Sequence, residues 1–212
     1  MEFYDYLIDE YGYNKPIILK EIEYKELSRT AIRLKLKRLM AKGIIKREIQ
    51  GTYYIPKEEL GTKGYCSSND IIRKKYISDG NNTYGFYSGL SLLNGTGFTT
   101  QVPNVLTIIT NNCNTNKREI EINKFKYILK KSKVEINSDN VFNLEFLELL
   151  RILDEKQFEK DKDNKFKNIK YLLDNNSIKL DEAKQYLYYY PAKVAKRFME
   201  VENEIARGKR NI

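Results

Sequence analysis

Residues 28–56 read SRTAIRLKLKRLMAKGIIKREIQGTYYIP, and two periodicities meet within them. Over 29–42 the apolar residues Ile32, Leu36, Leu39 and Met40 recur at helical spacing, which predicts an α-helix with one core-facing stripe. Ser28 is a good N-cap, because its hydroxyl can accept a free backbone N–H of the first turn. Gly43 is the expected stop. From Ile44 the period changes. Ile44–Ile49 and Thr52–Ile55 are β-rich runs joined at Gln50-Gly51, a tight-turn hairpin signal. Thr30, Arg33, Leu34, Lys37 and Arg38 lie toward the side of the helix away from the stripe.

The charge in this stretch has one sign. Arg29, Arg33, Lys35, Lys37, Arg38, Lys42, Lys46 and Arg47 stand between 29 and 47 with no acid among them. Like charges a helical turn apart repel, so an external anion is implied. The whole chain, with 38 Lys and Arg against 29 Asp and Glu in 212 residues, carries a formal charge of +9 and leans the same way. Upstream, Tyr4, Leu7, Ile8 and Tyr11 predict an amphipathic helix over 2–11, stopped by Gly12 and Asn14. An extended piece at Ile17–Leu19 and a short helix around Lys20–Lys25 follow. Helix, short strand, helix, basic helix and hairpin is the element order of a winged helix-turn-helix. In that motif the basic helix enters the major groove and the hairpin is the wing. The candidate DNA-binding residues are therefore Ser28, Arg29, Thr30, Arg33, Lys35, Lys37, Arg38, Lys46, Arg47 and Gln50. The lysines and arginines would supply phosphate contacts, with Thr30, Arg33 and Lys37 nearest the base edges.

Working outward, 57–68 (KEELGTKGYCSS) reads as a linker. The expected organisation is a winged helix-turn-helix over 1–60, a linker over 61–68 and a second α+β domain over 69–212. In that domain a short helix is expected at Asn69–Ile77. The stretch 85–103, GFYSGLSLLNGTGFTTQVP, predicts a short helix through Leu90, Leu92 and Leu93, with Ser88 as cap and Gly95 and Gly97 as terminators. Thr99, Thr100 and Gln101 follow as exposed donors and acceptors, the candidate partner surface. Strands are expected in 104–110, at Arg118–Ile122, at Phe125–Lys131 and at Val134–Ile136, paired antiparallel because the connections are short. Asn140 should cap a largely buried helix through Leu153, with Phe142, Phe146, Leu149, Leu150 and Leu153 on one face. Residues 156–170 read as solvated. Helices are then expected at Phe166–Asp174, Asp181–Tyr189 and Pro191–Ala206, and the basic tail RGKRNI as frayed. The fold class is α+β, with a small antiparallel sheet and several helices in the second domain.

Several function classes are excluded by composition. The chain has no histidine, which removes HExxH zinc sites, Ser-His and Cys-His pairs, and an imidazole base. No GxxxxGK[ST] phosphate loop occurs. Cys66 and Cys113 lack CxxC spacing and read as reduced structural thiols. Glu119, Glu121 and Lys124 superficially resemble a metal-nuclease set, but an alternating edge strand produces the same letters. No enzyme activity, metal or cofactor is expected. No apolar run reaches bilayer length and the first residues are acidic, so a cytoplasmic protein without a membrane partner is expected.

Two stretches together, PIILKEI…SRTAIRLKLKRLMAKGIIKREIQGTYYIP and YGFYSGLSLLNGTGFTTQVPNVLTIIT, backed by the late YYYPAKVAKRF, resemble the AbiEi family, the antitoxins of type IV abortive-infection toxin–antitoxin systems. The resemblance implies a winged helix that binds inverted repeats in double-stranded DNA of its own promoter, and a C-terminal domain that counteracts a nucleotidyltransferase toxin, with direct contact left open. The family's DNA-contacting positions match Ser28, Arg29, Thr30, Arg33, Lys37, Lys46 and Arg47. Two alternatives stand beside it: a transcriptional regulator with a ligand- or partner-sensing C-terminal domain, and an antitoxin that sequesters its toxin as a protein complex.

Overall fold

The computed structural model describes residues 2–58, 64–154, 161–176 and 178–210. Part of the expected linker (59–63), part of the solvated stretch (155–160) and the end of the basic tail (211–212) lie outside them. The described residues form eight α-helices and two small sheets, a mixed α+β architecture. Contacts divide the chain into one unit of Met1–Lys75 with Glu121–Phe125, and a second of Tyr76–Ile120 with Lys126–Ile212. The division thus falls at Lys75, beyond the linker expected at 61–68.

In the first unit α1 spans Phe3–Tyr11 and stops at Gly12, which has φ +73°. β1 is Ile17–Ile18 and leads into a 3-10 turn at Leu19–Glu21. The short helix expected around Lys20–Lys25 does not form. Ile22 and Tyr24 are both buried and Glu23 is exposed, a two-residue alternation that only extended backbone satisfies. Lys25 and Glu26 then turn the chain at positive φ. α2 runs Arg29–Ala41, and Ser28 caps it by accepting the Ala31 N–H at 3.2 Å. β2 (Lys46–Ile49) and β3 (Thr52–Tyr54) form the expected hairpin around Gly51 at φ +73°. β3 also pairs with β1, so the sheet order is β1-β3-β2, all antiparallel. The core is Phe3, Leu7, Ile17, Ile22, Ile32, Leu36, Ile45 and Ile55 with aromatic neighbours. Asn14 ties the end of this region, exchanging hydrogen bonds with the backbone N–H and C=O of Lys57.

The same unit continues through α3, Ser68–Ile72, and a π-helical turn, Arg73–Ile77, whose last two residues belong to the second unit. Two lysines of that turn are anchored in the first unit. The Lys74 ammonium donates to the Pro16 carbonyl at 3.2 Å and pairs with Glu21, also at 3.2 Å. Lys75 donates to the Gln50 carbonyl at 2.6 Å and to the Thr52 hydroxyl at 2.9 Å. Cys66 is buried here, and burial pushes its thiol up to about 12, so it has the unreactive character expected of a structural thiol.

The second unit carries most of a sheet of order β4-β5-β7-β6, with β4 Gly85–Ser88, β5 Leu106–Thr110, β6 Lys117–Ile122 and β7 Phe125–Lys131, of which only the turn end at Glu121–Phe125 counts with the first unit. Three expectations are corrected. Ser88 ends a strand, and Gly89, at φ +64°, precedes helix α4, Leu90–Gly95. β4 takes the place of the strand expected at 134–136, which is irregular. Pairing is also not uniformly antiparallel, since β4–β5 is antiparallel and β5–β7 parallel. The reason is strand character. Tyr127 and Leu129 of β7 are buried, whereas KREIEI of β6 is charged and exposed at most positions, so β6 takes the edge and β7 the interior. The two-residue turn Asn123–Lys124, both at positive φ, folds β6 back onto β7.

Helix α5, Val141–Ile152, is buried along most of its length. Phe142 departs from the expected apolar face and is 45% exposed. The Asn140 side chain does not cap the helix. It braces the preceding loop, accepting the Asn137 N–H and donating to the Glu135 carbonyl. At the other end Arg197, itself buried, donates to the carbonyls of Leu150 and Leu153. That is how a helix end enclosed in a core satisfies its last acceptors. α6 (Lys162–Asn175), α7 (Leu180–Lys184), a 3-10 turn (Leu187–Tyr189) and α8 (Ala192–Arg210) complete the unit. Their apolar faces meet α5 in a core that includes Phe146, Leu150, Ile169, Val194, Phe198 and Val201. No helix among the described residues is long and apolar enough to cross a membrane.

Glu145 on α5 sits beside Leu92, Phe142, Phe146 and Leu149, and burial pushes its carboxyl up to about 7. A folded-state pKa above the unfolded value means that the native state takes up a proton. Its stabilising effect is complete below the ordinary carboxyl range and is lost as pH rises through 7. Glu145→Gln should therefore stabilise the protein at pH 8 by about 1–3 kcal/mol and change it little at pH 4. Thermal melts of both proteins across that range check the sign.

Candidate nucleic-acid interface

The rotation of α2 follows from its two most buried residues, Ile32 at 1% and Leu36 at 0% exposure. At ~100° per residue, Thr30, Arg33, Leu34 and Lys37 stand ~100–200° around the axis from Ile32, on the far side of the helix. All four are exposed, Leu34 by 50%. Arg38 is exposed beside them. Met40, expected on the apolar stripe, is also partly outside, whereas Leu39 is half-buried.

Arg29 and Lys35 stand ~60° to either side of Ile32, at the flanks of the buried stripe. The structure uses both locally. The Arg29 guanidinium donates to the Leu19 carbonyl at 2.7 Å and to the Ile22 carbonyl at 3.2 Å, clasping the 3-10 turn. The half-buried Lys35 places its ammonium 5.7 Å from the centre of the Phe3 ring. Ser28 is exposed and spends its hydroxyl on the cap. Thr30 is exposed at the first turn.

The hairpin adds Lys46 and Arg47 on β2, both exposed, and Gln50 in the turn, exposed with its carbonyl held by Lys75. The Gly51 carbonyl accepts the Leu19 N–H at 3.0 Å, so the hairpin turn is tied to the same 3-10 turn that Arg29 clasps. Among the described residues, Arg33, Lys37, Arg38, Lys46 and Arg47 have no carboxylate within ion-pair distance. Five cations thus project from a helix and its adjoining hairpin with their charge unneutralised. Such a surface attracts a polyanion at long range and binds it through many weak, salt-sensitive contacts.

Thr99, Thr100 and Gln101 lie in the second unit, in the loop after α4. Thr99 is partly buried and accepts the Gln101 N–H through its hydroxyl, at 3.2 Å, while Thr100 and Gln101 are exposed. They form a turn and do not line the cleft of about 710 Å3 in that unit, which lies among β4, β5, the end of β7, α5 and the 187–191 segment. Sequence reasoning missed the anchoring roles of Lys74 and Lys75. Nothing in the run Arg73-Lys74-Lys75 distinguishes a lysine that will meet carbonyls from one left in solvent. No family model matches the chain, and no curated protein matches it.

The geometry separates Arg29 from the outward cations by a stability measurement. Arg29→Ala leaves two carbonyls without this donor and should cost about 1–2 kcal/mol. Arg33→Ala with Lys37→Ala removes exposed side chains and should stay within about 0.5 kcal/mol of wild type. Urea titrations of the three proteins check the contrast.

Proposed function

We propose that the protein is a DNA-binding repressor whose first unit acts as a winged helix with its middle helix reduced to the 3-10 turn. The observation that carries this reading is the outward, unpaired cationic face of α2 continuing onto the hairpin. In this reading α2 lies in the major groove. Arg33, Lys37 and Thr30 approach base edges, and Arg38, Lys46 and Arg47 hold phosphates. Leu34, apolar and exposed amid the cations, suits a thymine methyl group. Arg29 and Lys35 serve the interface indirectly, by holding α2 against the turn and against α1.

The resemblance of residues 16–56 and 84–110 to AbiEi antitoxins supports the further proposal that the DNA is the promoter of the chain's own operon. On that reading the second unit counteracts a nucleotidyltransferase toxin encoded beside it, in the cytoplasm and without any catalytic step of its own. A regulator whose second unit senses a small ligand is the competing reading, favoured by the cleft in that unit.

If about five phosphates are neutralised, log K for a duplex of the upstream region should fall with log salt at a slope of about −4 to −5. Fluorescence anisotropy across a salt series measures it, and an affinity indifferent to salt would overturn the proposal. Arg33→Ala with Lys37→Ala should abolish binding to that duplex while leaving rescue of toxin-expressing cells intact. Loss of rescue in a variant that remains folded would show that the two units do not divide the work in this way.

A further inference from the structure

The cleft of the second unit is built on a cross-strand row. Phe86 of β4 pairs with Ile109 of β5, which pairs in turn with Lys130 of β7. Directly paired residues of neighbouring strands share one face of a sheet, so two apolar side chains and one lysine line the same wall. α5 brings Glu148 and Arg151 to the cleft, and the segment after α7 brings Tyr189 and Tyr190. Its volume, about 710 Å3, is within the range of small-molecule sites.

Its electrostatics are lopsided. Lys130, Lys131, Lys133 and Arg151 line it, against the single carboxylate of Glu148. Glu148 is 1% exposed and already satisfied. It accepts the Ser88 hydroxyl and a bidentate pair from Arg151, Nε and Nη2 both at 2.6 Å. A guanidinium carries five N–H donors, so this grip leaves donors of Arg151 uncommitted while fixing the plane of the group. Lys130 and Lys131 have no carboxylate partner among the described residues. Lys133 donates only to a neutral acceptor, the Tyr189 carbonyl, at 3.3 Å. Lysines gathered in a concave site without a carboxylate partner destabilise the empty state and favour a bound anion. The aromatic side is equally defined. The Tyr190 hydroxyl donates to the Leu144 carbonyl at 3.2 Å, which holds one ring in place, and the Tyr189 ring beside it is 42% exposed.

We propose that this cleft is a nucleotide-binding site, with the phosphates of a nucleoside triphosphate on Lys130, Lys133 and Arg151 and the base against Tyr189. The Ser88–Glu148–Arg151 chain has a positioning role, holding the arginine for the phosphates. A buried ion pair adds little net stability over an apolar replacement, so its presence at the cleft wall accords with such a role. All of these residues belong to the second unit, and the proposal stands whether or not the first unit binds DNA.

Isothermal titration of the full chain with ATP, GTP, tripolyphosphate and adenosine tests it. Saturable one-to-one binding of at least one triphosphate is expected, at least tenfold tighter than tripolyphosphate or adenosine. Lys130→Ala with Lys133→Ala should weaken that binding at least tenfold. Lys179→Ala with Lys184→Ala, which removes the same charge from the same unit outside the cleft, should not change it. Tyr189→Ala should weaken the nucleotide and spare tripolyphosphate. Should the Lys130/Lys133 variant melt early, Lys133→Gln alone, at an exposed position, should still weaken nucleotide binding. The absence of saturable nucleotide binding, tripolyphosphate bound as tightly as nucleotide, or equal losses in the two double-lysine variants would overturn the proposal.

Discussion

Burial of Ile32 and Leu36 sets the rotation of α2, and most of what the first unit can do follows from that angle. The two side chains are sealed against Leu7, Ile17, Ile22, Ile45 and Ile55. Burying a large aliphatic side chain is worth about 1.5–3 kcal/mol. Turning the helix by half a revolution would bring Thr30 and Leu34 inward with Lys37 and Arg38 beside them, and those unpaired charges are far costlier to bury. The cations at ~100–200° from Ile32 are thereby held in solvent. Those at ~60° reach back to backbone carbonyls and an aromatic ring. A single packing constraint thus sorts the residues of one basic run into an outward set and a structural set.

The same sorting operates elsewhere and shows why net charge is a poor map of a binding surface. Lys74 and Lys75 belong to a basic tripeptide, yet both ammonium groups are spent on carbonyls, a carboxylate or a hydroxyl of the first unit. Arg197 is spent on the last carbonyls of α5. Arg151 is intermediate, since Glu148 occupies part of its guanidinium and the remainder borders the cleft. Cations matter for recognition where the fold leaves their donors unmatched. Here that happens on the outer face of α2, on β2, and around the end of β7.

The cleft depends on a decision about strand order. Placing β7 between β5 and β6 gives Tyr127 and Leu129 an interior position and leaves the charged β6 at the edge. It also makes Lys130 a direct neighbour of Ile109. Had the strands paired in chain order, β6 would adjoin β5, and the lysines that follow β7 would lie one strand farther from α5.

Much of the first unit was legible in its sequence. The i, i+4 spacing of Ile32 and Leu36, the Ser28 cap and the Gln50-Gly51 turn are local signals, and local backbone physics suffices to decode them. The flanking positions of Arg29 and Lys35 are contained in the same spacing. That Arg29 would find the carbonyls of Leu19 and Ile22 is not, because those acceptors exist only once Ile22 and Tyr24 have gone into the core as extended chain. The strand at Gly85–Ser88, the parallel β5–β7 pair and the Ser88–Glu148–Arg151 chain were invisible for a related reason. Ser88 and Glu148 are 60 positions apart in sequence, and no periodicity links residues at that separation. Sequence alone located most of the helices, though not the extended chain at Ile22–Tyr24, and showed where positive charge is concentrated, since both signals depend on neighbours a turn or less away. Only the tertiary structure decided which charges remain unneutralised and which residues share a cavity wall, because both depend on what long-range packing brings within a few ångströms.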